Sequence, residues 1–258
     1  PTLRDDLSDL ILHADSQDLI AFLTTNGKLL TRERIFEYAA SGLDVLELSL
    51  DGYGALECSN KTVDKLGDII DYLREARRIY RMGLKFHQVL TPETIVETEK
   101  LFKFAKSVKI PISYGIAKET FTRDNYSNNN YPHNTLNYLK ERAGLFSIIT
   151  NPKTYFDSGS FYFHNWEVCD VGRHTLAVAS NGKVYLCSAN PILTKTDFLD
   201  VNLDYFKKKR HLGHIELADC RRECKSACAY TTSHMRKHPL FCYLKSRKMS
   251  NCFDPPKL

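Results

Sequence analysis

The sequence predicts an α/β protein: strands and helices alternating around a parallel sheet, then a small cysteine-rich region built on a β-hairpin. Three observations lead there. Short apolar runs recur roughly every 25–35 residues with amphipathic helical stretches between them, the pattern of βαβ units. Asn181-Gly182 sits between two runs rich in β-formers. Of eight cysteines, only Cys58 precedes residue 169.

The elements follow in order. Leu3, Leu7, Leu10, Ile11 and Ala14 recur at helical spacing, so 3–14 reads as a helix. DLIAFLT (18–24) is a short apolar run closed by Thr25-Asn26-Gly27, a strand and its turn. Residues 31–40 form a helix with Thr31 as N-cap and Gly42 just past its end. DVLELSL (44–50) is the next strand, closed by Asp51-Gly52. Residues 61–78 are a long amphipathic helix with Val63, Leu66, Ile69, Ile70 and Leu73 on one face. GLKFHQVL (83–90) is a strand, and Thr91-Pro92-Glu93 opens the following helix with Pro at its first position. A fourth strand covers 110–116. The Asn-rich stretch 124–134 reads as a loop, 135–143 as a further helix and 145–149 as a last short strand. Right-handed crossovers curl such a sheet into a barrel or leave it open between helix layers. A domain boundary is expected near 155–168, dividing residues 1–155 from 156–258.

Composition narrows the class. Hydrophobic residues make up 43% and charged residues 26%, ordinary for a globular protein. No apolar run reaches the roughly 18 residues of a membrane helix, and no signal peptide is visible, so a cytoplasmic protein without a membrane partner is expected. The net charge of +5 comes from interspersed signs and gives no argument for nucleic acid. The chain opens at Pro1, directly into a helix; it reads as a piece of a longer protein.

The late cysteines point to metal rather than to disulfides, which favour short secreted chains. Residues 174–179 and 183–187 flank Ser180-Asn181-Gly182, and Asn-Gly predicts a type I′ turn with two positive-φ residues. Cys169 precedes this hairpin and Cys187 ends it; Cys220-x3-Cys224-x3-Cys228, Cys242 and Cys252 follow. Four thiolates satisfy either a zinc ion or a [4Fe–4S] cluster, and His211, His214, His234 and His238 are near enough in sequence to serve zinc. From spacing alone both metals stay open.

Cys169-x12-Gly182-x4-Cys187 followed by a cysteine cluster resembles the SPASM and Twitch domains of radical S-adenosylmethionine (SAM) enzymes. Ahead of it, Thr24-Thr25-Asn26-Gly27 looks like that family's strand-end Thr-Asn-Gly, and Ser49-Leu50-Asp51-Gly52 like its Ser-Leu-Asp-Gly. Pro1-Thr2-Leu3 looks like the continuation of its Gly-Gly-Glu motif. The resemblance covers nearly the whole chain. Two features depart from it. The Cys-x3-Cys-x2-Cys of the SAM-cleaving cluster and Gly-Gly-Glu are absent and expected upstream, so these 258 residues alone are not expected to cleave SAM. Cys-x3-Cys-x3-Cys replaces the SPASM pattern Cys-x2-Cys-x5-Cys-x3-Cys.

The resemblance implies a partial TIM-like (β/α) barrel followed by a SPASM/Twitch domain. It implies SAM-binding residues at strand ends: Ser49 and Asp51, Asn26, and Gly115 and Ile116 beside Tyr114. Cys169, Cys187, Cys220, Cys224, Cys228, Cys242 and Cys252 become ligands of one or two auxiliary [4Fe–4S] clusters. The implied chemistry is reductive SAM cleavage and hydrogen abstraction by a 5′-deoxyadenosyl radical, with an auxiliary cluster as electron acceptor or substrate ligand. An electron donor such as flavodoxin or ferredoxin is implied, with a ribosomal peptide, a protein or a small polyol or aminocyclitol as substrate. The aromatic stretch 155–166 lines a substrate channel or packs between domains. The alternative is a zinc-stabilised, non-enzymatic binding module.

Overall fold

The computed structural model describes residues 1–54, 56–57, 59–117, 133–144, 147–156, 177–185 and 196–197. The chain divides into two compact units, Pro1–Asp157 with Leu244–Leu258 and Ser158–Tyr243, and each is described by itself.

The first unit runs α1 (Leu7–Ser16), β1 (Phe22–Thr25), α2 (Arg32–Ala40), β2 (Val45–Ser49), α3 (Val63–Tyr80), β3 (Gly83–Leu90), α4 (Thr98–Ser107), β4 (Ile112–Ile116) and α5 (His133–Arg142). The four strands form one parallel sheet in the sequential order β1-β2-β3-β4. Sequential order with crossovers of one hand puts the helices on the same side of the sheet. Leu46, Leu48, Leu84, Phe86, Leu90 and Ile112 face that side and are fully buried, each contributing about 2 kcal/mol of hydrophobic stabilisation.

Three helices turn into their next segment by one device. After α1, α2 and α4 a residue with positive φ (Asp18, Gly42, Lys109) reverses the chain. The following amide (Leu19, Leu43, Ile110) reaches back to a carbonyl of the last helical turn (Ala14, Tyr38, Ala105) at 3.0–3.1 Å. This closure satisfies carbonyls that the helix end would otherwise leave open. Asp18 in that role shortens the first predicted strand to Phe22–Thr25 and leaves Leu19 and Ile20 exposed.

The predicted N-cap Thr31 accepts from the Arg34 amide at 3.3 Å, and β3 spans the predicted residues. Elsewhere the structure corrects the expected bounds. The first helix starts at Leu7, with Leu3 almost wholly exposed. Thr91-Pro92-Glu93 is a turn tied by Thr94 Oγ1, which accepts from the Thr91 amide (2.9 Å). A 3₁₀ turn at Ile95–Glu97 intervenes before α4. The predicted last strand is reduced to a bridge between Ile149 and Ile112. Beside it the Asn151 carboxamide makes two bonds a fifth strand would supply to β4: Oδ1 accepts from the Tyr114 amide (2.8 Å) and Nδ2 donates to the Tyr114 carbonyl (3.0 Å).

In the second unit Ala177–Val178 (β5) pairs antiparallel with Lys183–Tyr185 (β6), which pairs with Thr196–Asp197 (β7). The hairpin is where the Asn-Gly signal placed it, but its turn is different. Gly182 has φ +78° while Asn181 does not have positive φ. The Gly182 amide donates to the Ala179 carbonyl (2.9 Å), and the Ala179 amide donates to the Lys183 carbonyl (2.9 Å). This is a three-residue loop with one left-handed glycine. Asn181 Oδ1 accepts from the Lys183 amide (3.1 Å): the side chain caps the loop instead of the backbone adopting αL. The seven late cysteines and Cys58 lie outside the described residues.

Candidate functional site

The face of the parallel sheet opposite the buried Leu and Phe side chains is polar. Side chains alternate along a strand, so DVLELSL sends Glu47 and Ser49 to that face, and GLKFHQVL sends Lys85 and His87. Register aligns them: Thr24, Glu47 and Lys85 lie abreast, and one step toward the strands' carboxyl ends so do Ser49, His87 and Ser113.

These groups are bonded to one another. Glu47, 8% exposed, pairs with Lys85 Nζ at 2.5 Å and accepts from Thr24 Oγ1 at 3.2 Å. Ser113 Oγ stands 3.5 Å from Glu47 Oε2 and 2.8 Å from His87 Nδ1. The pair is well matched, because a carboxylate out of water is tolerated only when its oxygens are satisfied. Burial holds the His87 pKa below its ordinary value; Glu47 opposes the shift, while Lys85 and Lys61 add to it. His87 is therefore neutral at pH 7. Its ring lies against Gly115, where a Cβ would come within 3.1 Å of Nε2. The glycine leaves room for the imidazole to extend toward the carboxyl edge.

The sequence-predicted residues stand along that edge. Ser49 ends β2, half-buried, and its Oγ has no hydrogen-bond partner among the described residues. Gly115 and Ile116 end β4, both partly exposed. Asn26 is exposed; its Oδ1 accepts from the Lys28 amide (3.1 Å), leaving Nδ2 free to turn toward a ligand. Asp51 is engaged in its own loop: Oδ2 accepts from Ser59 Oγ (2.5 Å) and Oδ1 pairs with Lys61 Nζ (2.9 Å). Tyr114 points to the helix side, 1% exposed, its ring edge-on to Phe156. Tyr155 and Phe156 are likewise buried in this unit; the rest of that aromatic stretch lies outside the described residues.

The loops above the edge are braced. Gln88 Nε2 donates to the carbonyls of Asp51 (2.9 Å) and Thr94 (3.0 Å), tying the β2–α3 loop to the β3–α4 loop. Glu97 Oε2 accepts from the Gly54 amide (2.8 Å). Along this edge Ser49 presents a hydroxyl without a partner among the described residues, and β4 ends in the partly exposed Gly115 and Ile116. Both oxygens of Asp51 are engaged within its own loop. Among the described residues, no group of three His, Cys, Asp or Glu side chains is placed to hold a metal ion, and no helix is long and apolar enough to cross a membrane.

Sequence reasoning missed Glu47, Lys85, His87 and Ser113. The signal was present: a charged residue amid DVLELSL, and Lys and His two apart in GLKFHQVL.

No family model and no curated protein matches the sequence. Solved structures do match its fold. SuiB of Streptococcus suis aligns at TM-score 0.58 and 18% identity over 83% of this chain and 55% of SuiB. In complex with the precursor peptide SuiA it aligns at 0.54 and 15% over 80% and 52%. Native anSMEcpe with bound AdoMet aligns at 0.52 and 15% over 95% of this chain and 80% of that one. This chain thus spans about half the length of SuiB. SuiB is also solved bound to S-adenosylmethionine, and at these identities the likeness is one of fold.

Proposed function

We propose that this chain is the sheet-bearing and auxiliary-cluster part of a radical SAM enzyme that modifies a peptide. The observation that carries the reading is the sequential parallel sheet, with Ser49 ending β2 and Gly115 and Ile116 ending β4 at its carboxyl edge, in a fold shared with SuiB and with anSMEcpe bound to AdoMet. Ligands of such sheets sit at the carboxyl ends of the strands.

The finer assignments extend that reading. The sheet continues as a partial TIM-like barrel over residues 1–155. Residues 156–258 form a SPASM/Twitch domain whose Cys169, Cys187, Cys220, Cys224, Cys228, Cys242 and Cys252 hold one or two auxiliary [4Fe–4S] clusters. SAM held at this edge, with an iron–sulfur cluster and electrons from a donor such as flavodoxin or ferredoxin, would supply a hydrogen-abstracting radical. The chain's own residues position it. Ser49 Oγ binds a polar group of SAM, the end of β4 at Gly115 and Ile116 lies beside the adenine, and Asn26 Nδ2 serves the same edge. Asp51 acts by fixing the loop above, through Ser59 and Lys61. A peptide is favoured over a small polyol because the structures that match in fold include SuiB with SuiA and anSMEcpe with Cp18Cys peptide.

The test is the iron, sulfide and zinc content of the full-length protein purified without oxygen. Roughly eight or more irons with equal sulfide, about four for each cluster, support the reading. About one zinc without iron overturns it in favour of a zinc-stabilised binding module.

A further inference from the structure

The Glu47–Ser113–His87 chain is more elaborate than a SAM-binding edge requires. It brings a carboxylate, a hydroxyl and a neutral imidazole from three neighbouring strands into one line. Ser113 Oγ has a single proton and stands near three acceptors: the Glu47 carboxylate (3.5 Å), the Phe86 carbonyl (3.4 Å) and His87 Nδ1 (2.8 Å). When that proton goes to an oxygen, His87 Nδ1–H donates to Ser113 Oγ and the lone pair resides on Nε2. Nε2 lies against Gly115, one step nearer the carboxyl edge than Ser113, and has no hydrogen-bond partner among the described residues.

We infer that His87 Nε2 is the proton acceptor of the site, placed to take a proton from a substrate O–H, N–H or S–H group lying beside Ser49. The step is a proton transfer alone. The substrate's X–H bond breaks with its electron pair left on X, and an Nε2–H bond forms. The resulting imidazolium donates from Nδ1–H to Ser113 Oγ and is attracted by Glu47, which already shares its charge with Lys85. The charged groups that act on His87 are Glu47 from β2, Lys85 from β3 itself and Lys61 from the β2–α3 loop, the last paired with Asp51. Lys85 is held on Glu47, so neither cation has an unshared positive charge. The substrate class rests on the radical SAM reading; the proton site does not.

The test reads the imidazole directly, with diethyl pyrocarbonate as the probe of its free nitrogen. In the full-length protein with ¹⁵N-labelled histidine, His87 is expected to carry its proton on Nδ1 at neutral pH. Its titration midpoint should lie below 6.5, the ordinary value. Diethyl pyrocarbonate is expected to modify Nε2, with a rate that holds its plateau to below pH 6.5, and Ser113→Ala should remove the tautomer preference. A proton found on Nε2, or a His87 inert to the probe, overturns the inference. Absence of 5′-deoxyadenosine from wild-type protein loaded with iron and sulfide would sink the radical reading alone, and the nitrogen spectrum would still decide the proton site.

Discussion

A methyl group on Gly115 would lie 3.1 Å from His87 Nε2 and 3.2 Å from Cε1. That distance is tighter than side chains ordinarily accept, so the imidazole depends on a glycine one strand away. Gly115→Ala is expected to turn the ring off Ser113 and cost about 1 kcal/mol by overpacking. Urea denaturation gives the cost, and the His87 ¹⁵N shifts report the ring. An unchanged His87 signal would contradict the packing.

The Glu47–Lys85 pair predicts a sharper loss. Glu47→Gln leaves the Lys85 ammonium without its partner at a site where that side chain is 20% exposed. The expected cost is about 3 kcal/mol. Glu47→Gln with Lys85→Met removes the stranded charge and should recover a large part of that loss. Denaturant midpoints of the two variants decide it.

Acid should weaken the protein through His87. Its folded pKa is lowered, chiefly by burial, so between the unfolded value near 6.5 and that lower folded value the unfolded chain binds the extra proton. Stability attached to this group is fully present above pH 6.5, falls as pH drops through that window, and levels off once the folded imidazole is also protonated. Comparing wild type with His87→Gln from pH 8 to pH 5 isolates the effect: the variant should show the shallower decline.

Asn151 stands in for a strand. Asn151→Ala removes both of its hydrogen bonds to Tyr114 and should cost about 1–2 kcal/mol. Hydrogen exchange at the Tyr114 amide should accelerate, while the Phe86 amide, bonded to the Pro111 carbonyl at 2.8 Å on the other side of β4, stays protected.

Much of the sheet was legible because its signals are local. GLKFHQVL carries alternation and apolar ends, and β3 has the predicted bounds; Gly42 and Thr31 sit at helix ends for reasons of backbone conformation and capping alone. What was not legible depended on partners remote in sequence. Nothing near Asp18 says that it, rather than a glycine, takes the left-handed position. Nothing near residue 145 says that one asparagine replaces a strand. The type I′ turn failed because Asn181 can cap a loop with its side chain as readily as enter αL. At the site, Ser49 was suggested by the resemblance. Glu47, Lys85, His87 and Ser113 emerge only when register aligns three strands from residues 45 to 116. Asp51 matched a motif, yet its carboxylate is used by Ser59 and Lys61.

The central claim is that this edge serves radical SAM chemistry. Its most direct test is 5′-deoxyadenosine formation by the full-length protein, loaded with iron and sulfide and incubated without oxygen with SAM and dithionite, beside Ser49→Ala. Wild type should give 5′-deoxyadenosine and methionine in equal amounts, and Ser49→Ala at least a tenfold drop with the fold intact by circular dichroism. Intact SAM after incubation with iron-loaded wild type would contradict it.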